Sequence, residues 1–246
     1  MDRTGQGTKP QDLLGRAALL RALAQSFAYP QAARHREVSA SLRRVKQDGR
    51  RASDAALRRS VHEAQRAWSA TPAQTLRATY ARLFLGSGPC PARETAYGDG
   101  RRVSGRPVEL SDINGFYAAF GVRPSSVQPD LPDHLCAELE FCSLLLVKLA
   151  YAKSRRAPRR AAVTERALRA FLQDHLGRWP AAFAEELRRA PDSAPYAELA
   201  DAVARVVARE ARAAGARPRS ATSKAQDDQM QSDEMKCPAP LDVVGR

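Results

Sequence analysis

Apolar residues recur at intervals of three and four along most of the chain, which predicts a succession of helices and no convincing strand. The strongest case is 129–151, PDLPDHLCAELEFCSLLLVKLAY. Leu135, Leu139, Cys142, Leu146 and Leu149 form one row, and Phe141, Leu145 and Ala152 a second row beside it. A helix apolar over most of its circumference is a central rod for others to pack around. Its first turn is nevertheless polar, with Asp133, His134, Glu138 and Glu140. Asp133 is expected to cap it. Glu138 and Glu140, two apart, cannot share a face.

Around the rod the same pattern predicts a helix over 11–28, stopped by Pro30, and a basic helix over 31–47. Ser53 is expected to cap a helix facing inward through Leu57, Val61, Ala64 and Trp68. Thr71, Pro72 and Gln74 read as the start of the next, which buries Leu76, Tyr80, Leu83 and Phe84. Residues 86–106 are irregular, and a short helix from Ser111 turns Ile113, Phe116, Tyr117 and Phe120 inward until Gly121. After a loop at 124–132 and the rod come helices over 161–176, around Phe183 and Leu187, and over 196–213, about eight or nine in all. The fold class is therefore all-α. One globular multi-helix domain over 11–214 surrounds a central buried helix, between a loose segment at 1–10 and a disordered tail at 215–246.

Composition adds three constraints. With 246 residues and 43% apolar content the chain can fill a substantial core. Its net charge is +13, which opens the alternative of a basic helical nucleic-acid-binding or regulatory protein. The arginines are spread along the whole length, however, without the interleaved aromatics that stack bases, so no nucleic-acid partner is expected. No segment reaches the ~20 apolar residues of a membrane span, and no signal peptide is evident, so a cytoplasmic location with reduced cysteines is expected. No nucleophile elbow, phosphate-cradling glycine loop or zinc signature is found, which argues against an enzyme. His134 and Glu138, one turn apart, would make a metal-dependent hydrolase only with a third ligand that the sequence does not supply. No cofactor or metal is assigned.

Four stretches then match a known family in order and spacing. PDHLCAELEF at 132–141 resembles the P-D-H-x-x-x-E-L-x-F signature of the TorD/DmsD chaperones of molybdoenzymes. Tyr80-x-x-Leu83-Phe84 before a glycine and proline loop, Glu94-Thr95-Ala96-Tyr97, and FLQDHLGRWPAAF at 171–183 are similar to further family segments. The resemblance covers about 11–210, and implies an all-α protein that binds the twin-arginine leader of a molybdopterin oxidoreductase precursor of the dimethyl sulfoxide reductase type. Such a protein holds the precursor back from export and assists cofactor insertion. By the same resemblance Asp133 and His134 lie at the leader groove, with Glu138, Tyr97 and Glu94 nearby. The chain departs from the family at Pro91-Ala92-Arg93, where a tryptophan or paired prolines is usual. The chemistry agrees with this assignment: carboxylates at the head of an apolar rod suit a peptide with two arginines followed by an apolar run.

Overall fold

The computed structural model describes residues 8–48, 54–97, 106–123 and 131–221. Among the described residues nine α-helices follow in order: α1 Pro10–Ser26, α2 Ala32–Asp48, α3 Ala55–Ala70, α4 Ala73–Phe84, α5 Arg106–Ala119, α6 Leu135–Ser154, α7 Pro158–Phe171, α8 Pro180–Arg189 and α9 Ala194–Ala214. They form one all-helical globular domain, and among the described residues there is no strand. No helix there is long and apolar enough to cross a membrane.

The rod is α6. Leu135, Leu139, Leu145 and Leu146 are fully buried, and α1 and α7 pack along it. Two side chains stitch α6 to α1: Cys136 Sγ meets the Ala24 carbonyl oxygen at 3.1 Å, and Ser143 Oγ donates to that of Ala17 at 2.9 Å. Cys90, Cys136 and Cys142 are all buried free thiols. A second buried helix, α9, packs on α3 and α8. Its Glu210 is sealed and takes the Arg16 guanidinium from α1, with Nε donating at 2.9 Å, and Arg209 besides. Between these layers Trp68, Tyr80 and Phe84 meet Tyr196 edge to face, and Phe27 meets Phe183 in the same way. Each large side chain sealed in this way contributes about 1.5–3 kcal/mol, enough for the core to tolerate costly polar groups at its margin.

Several expected boundaries shift by up to about a turn and a half, each for a local reason. The cap of α3 is Asp54, whose carboxylate accepts from the Leu57 amide at 3.0 Å. Thr71 does not cap α4; its hydroxyl bonds back to the Ala67 carbonyl at 2.8 Å, so Pro72 takes the cap position. α5 begins at Arg106, five residues before Ser111, because Pro107 is accepted in a first turn. The expected helix over 161–176 begins at Pro158, and after Phe171 it widens into a π-turn, Leu172–Leu176. Residues 215–221, expected to be loose, return to that turn. Gly215 closes α9 at φ 70°, Ala216 is buried, and the Ala221 amide donates to the Arg178 carbonyl at 2.9 Å. The remainder of the expected tail, 222–246, and residues 1–7 lie outside the described residues.

Candidate functional site

Asp133 does not cap the rod. His134 does, its Nδ1 accepting from the Cys136 amide at 3.2 Å. Asp133 turns inward because the 92–97 segment lies against it. The Glu94 amide donates to the Asp133 carbonyl at 2.9 Å, and the Leu135 amide to that of Ala92 at 3.0 Å. These backbone bonds deliver Thr95, whose hydroxyl donates to Asp133 Oδ2 at 2.6 Å.

Behind that contact lies a buried polar cluster. Glu138 is 0% exposed, Asp133 1%, Glu94 2% and Tyr97 2%. Trp179 Nε1 donates to Glu138 Oε2 at 3.1 Å, the Tyr97 ring stacks on Trp179 at 5.4 Å, and the Tyr97 hydroxyl reaches Glu186 at 3.0 Å. His175, carried inward by the π-turn, sits between two carboxylates, with Nδ1 3.3 Å from Glu94 and Nε2 3.0 Å from Asp112. Arg178 meets Glu109 at 3.4 Å. Single π-turns are frequent where a helix must re-aim a side chain at a functional centre.

Four carboxylate oxygens in this cluster lack a donor: Glu94 Oε1, Glu109 Oε2, Asp133 Oδ1 and Glu138 Oε1. Buried polar atoms are nearly always satisfied, so four together are a costly arrangement. Glu94 lies within hydrogen-bonding contact of both Glu109 and Glu138, and a bond between two carboxyls needs a proton on one of them. Burial and then the neighbouring Glu94 charge push Glu109 up to about 7 against the pull of Arg178. The same two causes, in that order, raise Glu138 well above the carboxylate range, with the Trp179 N–H opposing them. Burial lowers His175, but its bonds to Glu94 and Asp112 outweigh that and the net shift is upward. The cluster thus holds protons that ordinary carboxylates shed.

The structure therefore gathers Asp133, Glu138, Glu94 and Tyr97 into one place, but not onto a surface. None of the four offers area to a peptide in this conformation, and only His134 is partly exposed. Helix α5 is the cover, since Glu109 and Asp112 face the cluster and the Tyr117 hydroxyl donates to the Pro132 carbonyl at 2.7 Å. His134 and Glu138 have separate partners rather than a shared metal. Among the described residues no group of three or more His, Cys, Asp and Glu could hold a metal ion. Glu140 is exposed, as its spacing from Glu138 requires. The sequence reading missed Glu109, Asp112 and Arg178 as site members. His175 and Trp179 lie inside the matched stretch 171–183, which by itself gives neither a role.

The family model described as nitrate reductase delta subunit matches residues 50–185. The selenate reductase assembly chaperone protein of Thauera selenatis is 34% identical over 54% of this chain and 67% of its own length. The chlorate reductase assembly chaperone protein of Ideonella dechloratans is 33% identical over 46% of this chain and 58% of its own. The perchlorate reductase assembly chaperone protein of Dechloromonas aromatica is 35% identical over 37% and 40%. The matches thus span about two-thirds of the first relative and less of the other two.

Proposed function

The chain belongs to the nitrate reductase delta subunit family, the TorD-like chaperones of molybdoenzyme assembly, and on that premise we propose that it is the dedicated assembly chaperone of a molybdenum-dependent reductase. It binds the twin-arginine leader of the catalytic subunit's precursor, and the buried carboxylate cluster at the head of α6 receives a leader guanidinium. Holding the leader keeps the precursor from export while its molybdopterin cofactor is inserted. The chaperone's place in this scheme is the cytoplasm, and the client is a reductase of the class served by its relatives, whose names specify selenate, chlorate and perchlorate.

The observation that carries the reading is the convergence of Glu94, Glu109, Asp133 and Glu138 on one place, with four buried oxygens that take no N–H or hydroxyl donor among the described residues. A guanidinium brings five N–H donors in a planar fork that matches carboxylate pairs, whereas a lysine ammonium brings three on a point. The net charge of +13 repels a cationic leader only weakly at this place, because screening at ~8 Å leaves the near carboxylates dominant.

The test is calorimetric titration with synthetic leader peptides carrying adjacent arginines, lysines or alanines ahead of one apolar run. Binding should fall at least about ten-fold from arginine to alanine, with lysine between. Equal affinity for all three peptides defeats the reading. Glu94→Gln should weaken the arginine peptide with helical circular dichroism unchanged.

A further inference from the structure

A sealed cluster cannot take up a peptide unless its cover moves, and the cover is α5. Its inner edge is held by aromatic contacts: Tyr117 on Phe141 at 4.8 Å and Phe116 on Phe171 at 5.5 Å. Its other edge is held by charge. Glu109 is met by Arg178, and Asp112 by His175. His175 comes from the π-turn and Arg178 from the short link between it and α8, which the 216–221 strap pins from outside through the Arg178 carbonyl.

The Arg178 contact is a guanidinium on a carboxylate, the chemistry assigned above to the leader. At 3.4 Å it is longer than the 2.7–2.9 Å of a well-formed charged pair, and Arg178 is partly exposed. Asp112 is 62% exposed where it takes the His175 ring. Both ties are therefore weak, and both attach α5 without passing through Asp133, Glu138 or Trp179.

We propose that Arg178 is an internal stand-in for the incoming guanidinium: paired with Glu109, and seconded by His175 on Asp112, it latches α5 over the carboxylate cluster until a leader arginine displaces it. This rests on the leader-binding reading and adds the device that regulates access. The free chaperone satisfies its outer carboxylate with its own arginine, so only a ligand that presents a better-placed guanidinium opens the site. Closed molecules do not bind, so the apparent affinity is the intrinsic one reduced by the open fraction.

Two full-length variants test the latch against plain electrostatics. Asp112→Asn strips the charge from the His175 tie, leaving at most a neutral hydrogen bond, while every buried carboxylate stays in place, and the side chain's exposure keeps the cost to the fold small. It also makes the chain more positive, so a purely electrostatic account predicts weaker binding of an arginine peptide. The latch requires binding tighter by about two- to five-fold, the strength of one partly exposed ion pair. Arg178→Gln should tighten binding by a similar factor, and Arg178→Lys by less. Amide hydrogen exchange in α5 of the free Asp112→Asn protein should quicken, with α6 unaffected. Unchanged or weaker binding by Asp112→Asn, while the wild type still prefers arginine, overturns the latch and leaves the leader reading standing. A wild type indifferent to arginine brings down both.

Discussion

Trp179 and Glu138 meet through a single hydrogen bond, indole N–H to carboxyl oxygen at 3.1 Å, across a junction between the head of α6 and the start of α8. The indole N–H is a donor to a carboxyl with no exposure to water, whose other oxygen takes no N–H or hydroxyl donor among the described residues. Trp179→Phe keeps a ring against Tyr97 and removes the donor. We expect a loss of about 1–3 kcal/mol in stability from leaving that oxygen unsatisfied, read from the midpoint of urea unfolding. A midpoint unchanged from wild type would mean that the carboxyl finds its partner elsewhere.

Thr95 and Asp133 supply a second test. The hydroxyl bond of 2.6 Å is buried, and Thr95→Val removes it without changing the side chain's shape. The expected cost is about 2 kcal/mol, or a fall of about 4–8 °C in melting temperature at this size. Thr95→Ser restores the donor and should recover most of it.

The proton-holding groups fix the sign of a pH dependence. Glu109 is raised to about 7, Glu138 is also raised, and His175 is raised, so all three bind protons more tightly in the folded chain than in the unfolded one. For the carboxyls the stabilising contribution is full at acid pH, and is lost as pH climbs from the unfolded value near about 4.3 through the folded one. For His175 it is full below about 6.5 and is lost as pH rises through its folded value. Melting temperature should therefore decline from pH 5 to pH 8, and Glu109→Gln should flatten the slope. A stability that rises over this interval would contradict the assignment of protons to the cluster.

Gly177 follows the π-turn at close quarters. A Cβ there would lie 1.9 Å from the Leu172 carbonyl oxygen and 3.0 Å from the Pro218 ring. Neither the backbone oxygen nor the pinned proline gives way freely, so Gly177→Ala is expected to cost about 3 kcal/mol. Thermal unfolding measures it. A companion change at Gly115, where a Cβ meets nothing within 4 Å, should cost nothing.

The rod was legible because its signal is redundant. Eight apolar positions at helical spacing over-determine α6, and the same redundancy in Leu199, Val203, Val206 and Val207 makes α9 plain. The identity of the cap was not legible. Asp133 and His134 both offer an acceptor, and the choice fell to Thr95, 38 residues away, whose hydroxyl claims the carboxylate. The π-turn left no trace in the apolar period, since one added residue per turn changes which side His175 faces only through contacts made elsewhere. Glu109 and Asp112 looked like ordinary solvated positions of a short helix. Their role depends on where α5 lies, and sequence periodicity carries no such information. The sequence puts acid at the head of the rod but not its burial, which comes from Trp179, Tyr97 and α5 lying over it.

The buried thiols have a practical consequence. Alkylating reagents attack the thiolate, and burial together with the Glu186 charge pushes Cys90 up to about 11, while Cys142 is raised as well. Cys136 is sealed against α1. A maleimide dye added at neutral pH should thus react slowly with all three in the folded chain and quickly once it unfolds, which makes thiol labelling a clock for opening of the core.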